Sequence, residues 1–151
     1  MTIAAPYSRV AWLIPKRQGR GIGIPTVAQC TVTLMVIKAA LAVGGLGRTL
    51  RWIRRSVAHA PTTVSVANED VIALEYAVAK AAAMYPGRAM CMERSLVLLY
   101  LAKRVGIAVS YHHGVHPVPF KAHAWIELGN CVINDIPEHV RCFVAFPPIF
   151  R

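Results

Sequence analysis

Pro86-Gly-Arg-Ala-Met-Cys-Met-Glu-Arg-Ser-Leu-Val-Leu-Leu-Tyr-Leu101 is the stretch on which the fold turns. Pro86 and Gly87 break any helix that precedes them. Cys91 then stands at the front of an apolar run that stops at Gly106. This spacing predicts a helix that begins near Cys91, carries Lys103 and Arg104 in its last turn and ends with Gly106 at C′. A thiol at a helix N-terminus sees the positive end of the macrodipole, which favours thiolate. Downstream, Ala-His-Ala-Trp-Ile-Glu carries His123, and Asn-Asp carries Asp135. Nucleophilic catalysis needs a thiolate, a base that accepts and returns a proton, and a group that orients the base. Cys91, His123 and Asp135 are the candidates for those three roles.

On the N-terminal side, Val71, Leu74, Ala77, Val78, Ala81, Ala82 and Tyr85 recur at intervals of three and four. They predict an amphipathic helix with Asn68 as N-cap and Glu69 and Asp70 in its first turn. On the C-terminal side, strands are expected over 107–115, 122–128, 131–135 and 142–146, with Pro117 and Pro119 in a loop and a hairpin about Gly129-Asn130. Register decides whether His123 and Asp135 can meet. A two-residue turn sets His123 opposite Ile136 and turns Asp135 to the other face. A three-residue loop sets His123 directly opposite Asp135, so the triad calls for the longer loop or a bulge. Trp125 lies on the His123 side of its strand and could shield the His–Asp bond or pack beneath it.

The first 68 residues hold nine Lys or Arg and no acid, which accounts for most of the net charge of +10. Such a surface suits an acidic peptide, a partner protein, a membrane surface or nucleic acid. Residues 1–26 read as an irregular arm with a short strand near 10–14, and 27–55 as helix weakened at Gly44, Gly45 and Gly47. Lys38 interrupts its apolar run and argues against a transmembrane span. A buried or partner-facing helix pair is the first reading, and an interfacial helix with basic flanks the second. Residues 59–65 read as a linker. Residues 1–66 are therefore taken as a basic, apolar N-terminal part and 67–151 as the core.

Four cysteines (Cys30, Cys91, Cys131, Cys142) include no Cys-x-x-Cys pair, and no uninterrupted signal-peptide core is seen. Free thiols in a cytoplasmic protein are expected. His112, His113 and His116 invite a metal, but neighbouring strand residues point to opposite faces, so neither metal nor cofactor is expected. Aromatic residues interleave with the basic ones only at Trp12 and Trp52, so nucleic acid is not an expected partner.

Cys-Met-Glu-Arg-Ser-Leu, followed by Ala-His-Ala-Trp-Ile-Glu and Ile-Asn-Asp, resembles the transglutaminase-like cysteine peptidases of lasso-peptide biosynthesis, the B-protein family. The resemblance covers roughly residues 71–146, and the short chain resembles the split, protease-only form. It implies an α+β fold of papain-like or transglutaminase-like design, a cysteine helix packed on an antiparallel sheet. It implies Cys91 as nucleophile, His123 as general base and acid, and Asp135 as orienting acid. The implied substrate is a ribosomally made precursor peptide cut between leader and core. The implied partners are a leader-binding recognition protein and the lasso cyclase. Leu-Gly-Asn stands in the hairpin where relatives tend to have an Asp-Gly type of turn. Two rivals remain: acyl transfer to an amine on the same fold, and a non-catalytic basic scaffold that binds membrane or nucleic acid.

Overall fold

A computed structural model describes residues 23–60 and 68–147. The strand expected near 10–14 and most of the linker lie outside the described residues. Three helices, α1 (Val27–Ser56), α2 (Asn68–Met84) and α3 (Cys91–Arg104), come first. Then follow β1 (Val109–His116), β2 (Lys121–Leu128), β3 (Cys131–Val132), a single-turn α4 (Pro137–Val140) and β4 (Val144–Ala145). The sheet is antiparallel with order β3-β2-β1-β4. The fold is α+β, with the cysteine helix against an antiparallel sheet and an N-terminal helix before it, as the sequence predicts. Asn68, expected as the N-cap, is the first residue of α2.

Thr26 and Gln29 start α1 with reciprocal side-chain-to-backbone bonds, Gln29 N–H to Thr26 Oγ1 at 3.3 Å and Thr26 N–H to Gln29 Oε1 at 2.9 Å. Gly45 breaks the helix with φ 67, a left-handed value that glycine adopts freely. The expected weak point is thus a kink. Cys30, Leu34, Ile37, Leu50 and Ile53 face inward and share one core with α2, α3 and the sheet. Val32, Met35, Val36 and Val43 face outward and are exposed. Past the kink, Arg48, Arg51, Arg54 and Arg55 are exposed as well. By length and composition α1 could cross a membrane, and only 17% of its apolar window is buried.

Lys38 does not merely interrupt α1. Its ammonium donates to Glu93 Oε1 at 2.7 Å and to the Arg88 carbonyl at 2.8 Å. The other Glu93 oxygen accepts the Met90 N–H at 2.7 Å. Glu93 therefore ties α1 to the turn that delivers Cys91. The Arg94 charge acts on Glu75 of α2 instead: burial raises the Glu75 carboxyl, the guanidinium opposes the rise, and the net value stands at about 7. Lys38→Met is expected to destabilise the fold by about 2 kcal/mol, because it strips a half-buried carboxylate of its charged partner. Urea unfolding measures this, and an unchanged midpoint would count against the tie.

Candidate active site

Cys91 is the first residue of α3, where N–H groups lack helical acceptors. Its sulfur lies where His123 and the backbone N–H groups of Ala124 and Met92 all favour the thiolate. His123 is the third residue of β2, and its Nε2 is bonded to Asp135 Oδ2. That leaves Nδ1 to face the thiol. The three sequence-predicted residues therefore converge, although they come from a helix, a strand and a bend.

The route to this convergence differs from the expected one. The hairpin has the two-residue turn, with Leu128 opposite Cys131, and Gly129 takes φ 61 at the first turn position. In that register a continued strand would set Asp135 opposite Ala124. The strand does not continue: β3 ends at Val132 and the chain bends over 133–135. Ile133 N–H still donates to the Ile126 carbonyl at 3.0 Å. The Ile126 N–H, however, donates to Asn134 Oδ1 at 2.8 Å. A side chain has taken the place of the next ladder carbonyl, which releases the backbone and lets Asp135 swing to His123. No longer loop is needed.

Electrostatics follow from the geometry. The bond from His123 lowers the Cys91 thiol, burial opposes it, and the Ala124 N–H, the His123 charge and the Met92 N–H lower it further; the net direction is down. The bond to Cys91 raises His123, burial opposes, and Asp135 adds to the rise; the net direction is up. Both partners move toward a thiolate–imidazolium pair. Burial pushes the Asp135 carboxyl up, but hydrogen bonds from His139, the Ile136 N–H and His123 outweigh it, so it lies below the usual range.

Aromatic rings fix the histidine. Trp125 is 2% exposed and stacks on His123 at 6.1 Å, with its indole N–H held by Glu127 at 2.8 Å. Phe143 lies 5.1 Å from the same ring. His139 Nδ1 reaches Asp135 Oδ2 at 2.8 Å, so two histidines share one carboxylate oxygen. His123, Asp135 and His139 offer ligand atoms within 4.8 Å of one another and are the group of described residues that could hold a metal ion. His112 and His113 take opposite faces of β1, His112 stacking on Trp125 and His113 between Tyr111 and Phe146.

Beside the thiol opens a cleft of about 600 Å³, walled by Leu41, Leu46, Met90, Met92, Val115 and Phe146. The α1 kink brings Leu41 and Leu46 to it. Gly114, across the sheet from His123, admits β4 to the other wall; a Cβ there would lie 2.6 Å from the Val144 carbonyl oxygen. Besides Cys91 and His123 themselves, the cleft lining is apolar except at His113 and Glu93, and it suits a peptide side chain next to a reacting carbonyl.

Sequence reasoning missed Ser95, Asn134, His139, Phe143 and Gly114. Ser95 did leave a signal: it is a polar residue one turn beyond Cys91 on an apolar helix face, where burial demands a partner. The model of the family described as Transglutaminase-like superfamily matches residues 33–146. No curated protein and no solved structure matches the chain.

Proposed function

Because the chain belongs to the transglutaminase-like superfamily, we propose that it is a cysteine peptidase that removes the leader from a ribosomally made lasso-peptide precursor. The observation that carries the peptidase reading is the convergence of Cys91, His123 and Asp135 beside an apolar, peptide-sized cleft. The lasso-peptide reading is supported by the motifs around those residues, Cys-Met-Glu-Arg-Ser-Leu and Ala-His-Ala-Trp-Ile-Glu.

Cys91 Sγ attacks the carbonyl carbon of the scissile bond. His123, as imidazolium, gives its proton to the leaving amine as the C–N bond breaks, leaving a thioester on Cys91. His123 then takes a proton from water, the hydroxide adds to the thioester carbon, the C–S bond breaks, and the carboxylic acid leaves as the Cys91 thiolate and His123 imidazolium are restored. Asp135 holds the imidazole in the tautomer and orientation both steps need. Trp125 covers the ring from one side and keeps water from the His123–Asp135 bond.

The leader is delivered by a separate leader-binding protein, and the freed core amine passes to the lasso cyclase. The uncharged outward face of α1 around Val32, Met35 and Val36, with the arginines beyond the kink, is a surface of the right character for that protein and an acidic leader. The reaction runs in the cytoplasm, where a catalytic thiol stays reduced. Mass spectrometry of the precursor incubated with this protein and the leader-binding protein tests the proposal. Two fragments whose masses sum to the precursor plus one water are expected. A cross-linked or amine-adduct mass would instead make the enzyme an acyltransferase, and an intact precursor with the partner present would overturn the reading.

A further inference from the structure

Beyond β3 the outer edge of β2 has no strand partner among the described residues, yet it carries the residue next to His123. α3 and the bend after β3 fill that edge with side chains. The Ala124 N–H points at the Cys91 sulfur. The Ala124 carbonyl accepts the Ser95 hydroxyl at 3.0 Å. Ser95 Oγ in turn accepts the Asn134 amide N–H at 2.8 Å, and Asn134 Oδ1 takes the Ile126 N–H at 2.8 Å. Ser95 is 0% exposed, so water cannot replace either of its bonds.

Each member sits beside one member of the candidate triad. Ser95 is one helical turn from Cys91 on the same face of α3. Ala124 follows His123, and Asn134 precedes Asp135. We infer that Ser95 and Asn134 are positioning residues, a buried clamp that sets the spacing among Cys91, His123 and Asp135 from behind without touching substrate. The inference rests on the proposed reading of the triad and assigns it a support that the triad alone does not reveal.

The clamp fixes two quantities at once. Through Ala124 it sets how near β2, and with it His123, lies to the N-terminus of α3. Through Asn134 it ends the ladder at the residue where Asp135 must turn. Loosening either end shifts reacting groups by a fraction of a bond length to about 1 Å, and misplacement on that scale costs about 100-fold in turnover. Substrate binding in the cleft involves neither residue, so KM should move little.

The test compares wild type, Ser95→Ala and Asn134→Ala, each checked for folding by circular dichroism and thermal melting. One readout needs no peptide: the rate of Cys91 alkylation by iodoacetamide against pH, followed at Cys91 by peptide mass spectrometry. The other is kcat and KM for precursor cleavage with the leader-binding protein. Both variants are expected to move the alkylation midpoint up, toward an ordinary thiol, and to lower kcat about 100-fold at near-constant KM. Ser95→Ala removes one oxygen and Asn134 lies on a half-buried bend, so at least one variant should remain folded. Folded variants with the wild-type alkylation midpoint and wild-type kcat would overturn the clamp while leaving the triad standing. A wild-type protein whose Cys91 alkylates like an ordinary thiol would overturn the triad reading, and the clamp with it.

Discussion

Cys91→Ala is expected to abolish cleavage of the precursor, a loss on the order of 10⁶-fold in kcat, while the protein stays folded. The loss should be so large because nothing else in the cleft can do the chemistry. Cys30 is fully buried in the core, and burial pushes its thiol up, away from thiolate. Cys131 starts β3, and Cys142 lies after α4, where its sulfur donates to the Glu138 carbonyl at 3.4 Å. Neither lines the cleft. The fold should tolerate the change because Cys91 is half-buried at a helix start and alanine is a good helix former. The checks are a cleavage time course with the leader-binding protein and a thermal melt on the same sample. Cleavage at the wild-type rate by folded Cys91→Ala would mean that the thiol is not the nucleophile.

The parts of this molecule that could be read from sequence are those whose signals are local. Pro86-Gly87 and the apolar run after Cys91 define α3 because caps, breakers and periodicity act within a turn or two. Gly106 closes it with φ 86, the C′ conformation expected of it. Cys91, His123 and Asp135 were legible as candidates because each stands at a place where its chemistry makes sense. Their meeting was not legible in its actual form. Strand alternation and a two-residue turn together forbid it, and the resolution lies in one side chain, Asn134, that substitutes for a backbone carbonyl. Such an exchange leaves no period in the sequence, because its partner Ser95 is 39 residues away.

Lys38 teaches the same lesson from the other direction. Within α1 it looks like a flaw in an apolar helix. Its partner Glu93 is 55 residues on, so only the folded chain shows that the charge is a tie between the first helix and the turn before Cys91. His139 could not be weighed either, since it sits in a single-turn helix started by Pro137 that has no apolar period to announce it. The short strand β4 in turn depends on Gly114, whose missing side chain makes room for the Val144 carbonyl. Local signals thus built the helices and long strands, and long-range pairings built the site.

His123→Ala is the second large effect expected, with kcat falling about 10⁴-fold and the pH dependence of Cys91 changing in a defined direction. In the wild-type protein Cys91 is an acid whose folded value is lowered, so it is thiolate above that value and is protonated as pH falls through it. His123 is a base whose folded value is raised, so it is imidazolium below that value and loses its proton as pH rises through it. Cleavage should therefore follow a bell, its acid limb set by the lowered Cys91 and its alkaline limb by the raised His123, the two titrating as a coupled pair. Removing the imidazole takes away the largest influence that lowers the thiol, and its charge as well. Burial, which raises it, is then opposed only by the Ala124 and Met92 N–H groups. The Cys91 alkylation midpoint should thus move up, and alkylation near neutral pH should slow. Asp135→Asn supplies the contrast: it leaves the thiol–imidazole bond in place but removes the negative charge that helps to raise His123, so it should draw the alkaline limb to lower pH. If His123→Ala leaves the alkylation profile of folded protein where it was, the thiolate does not owe its existence to His123, and the pair that the proposed mechanism turns on is not formed.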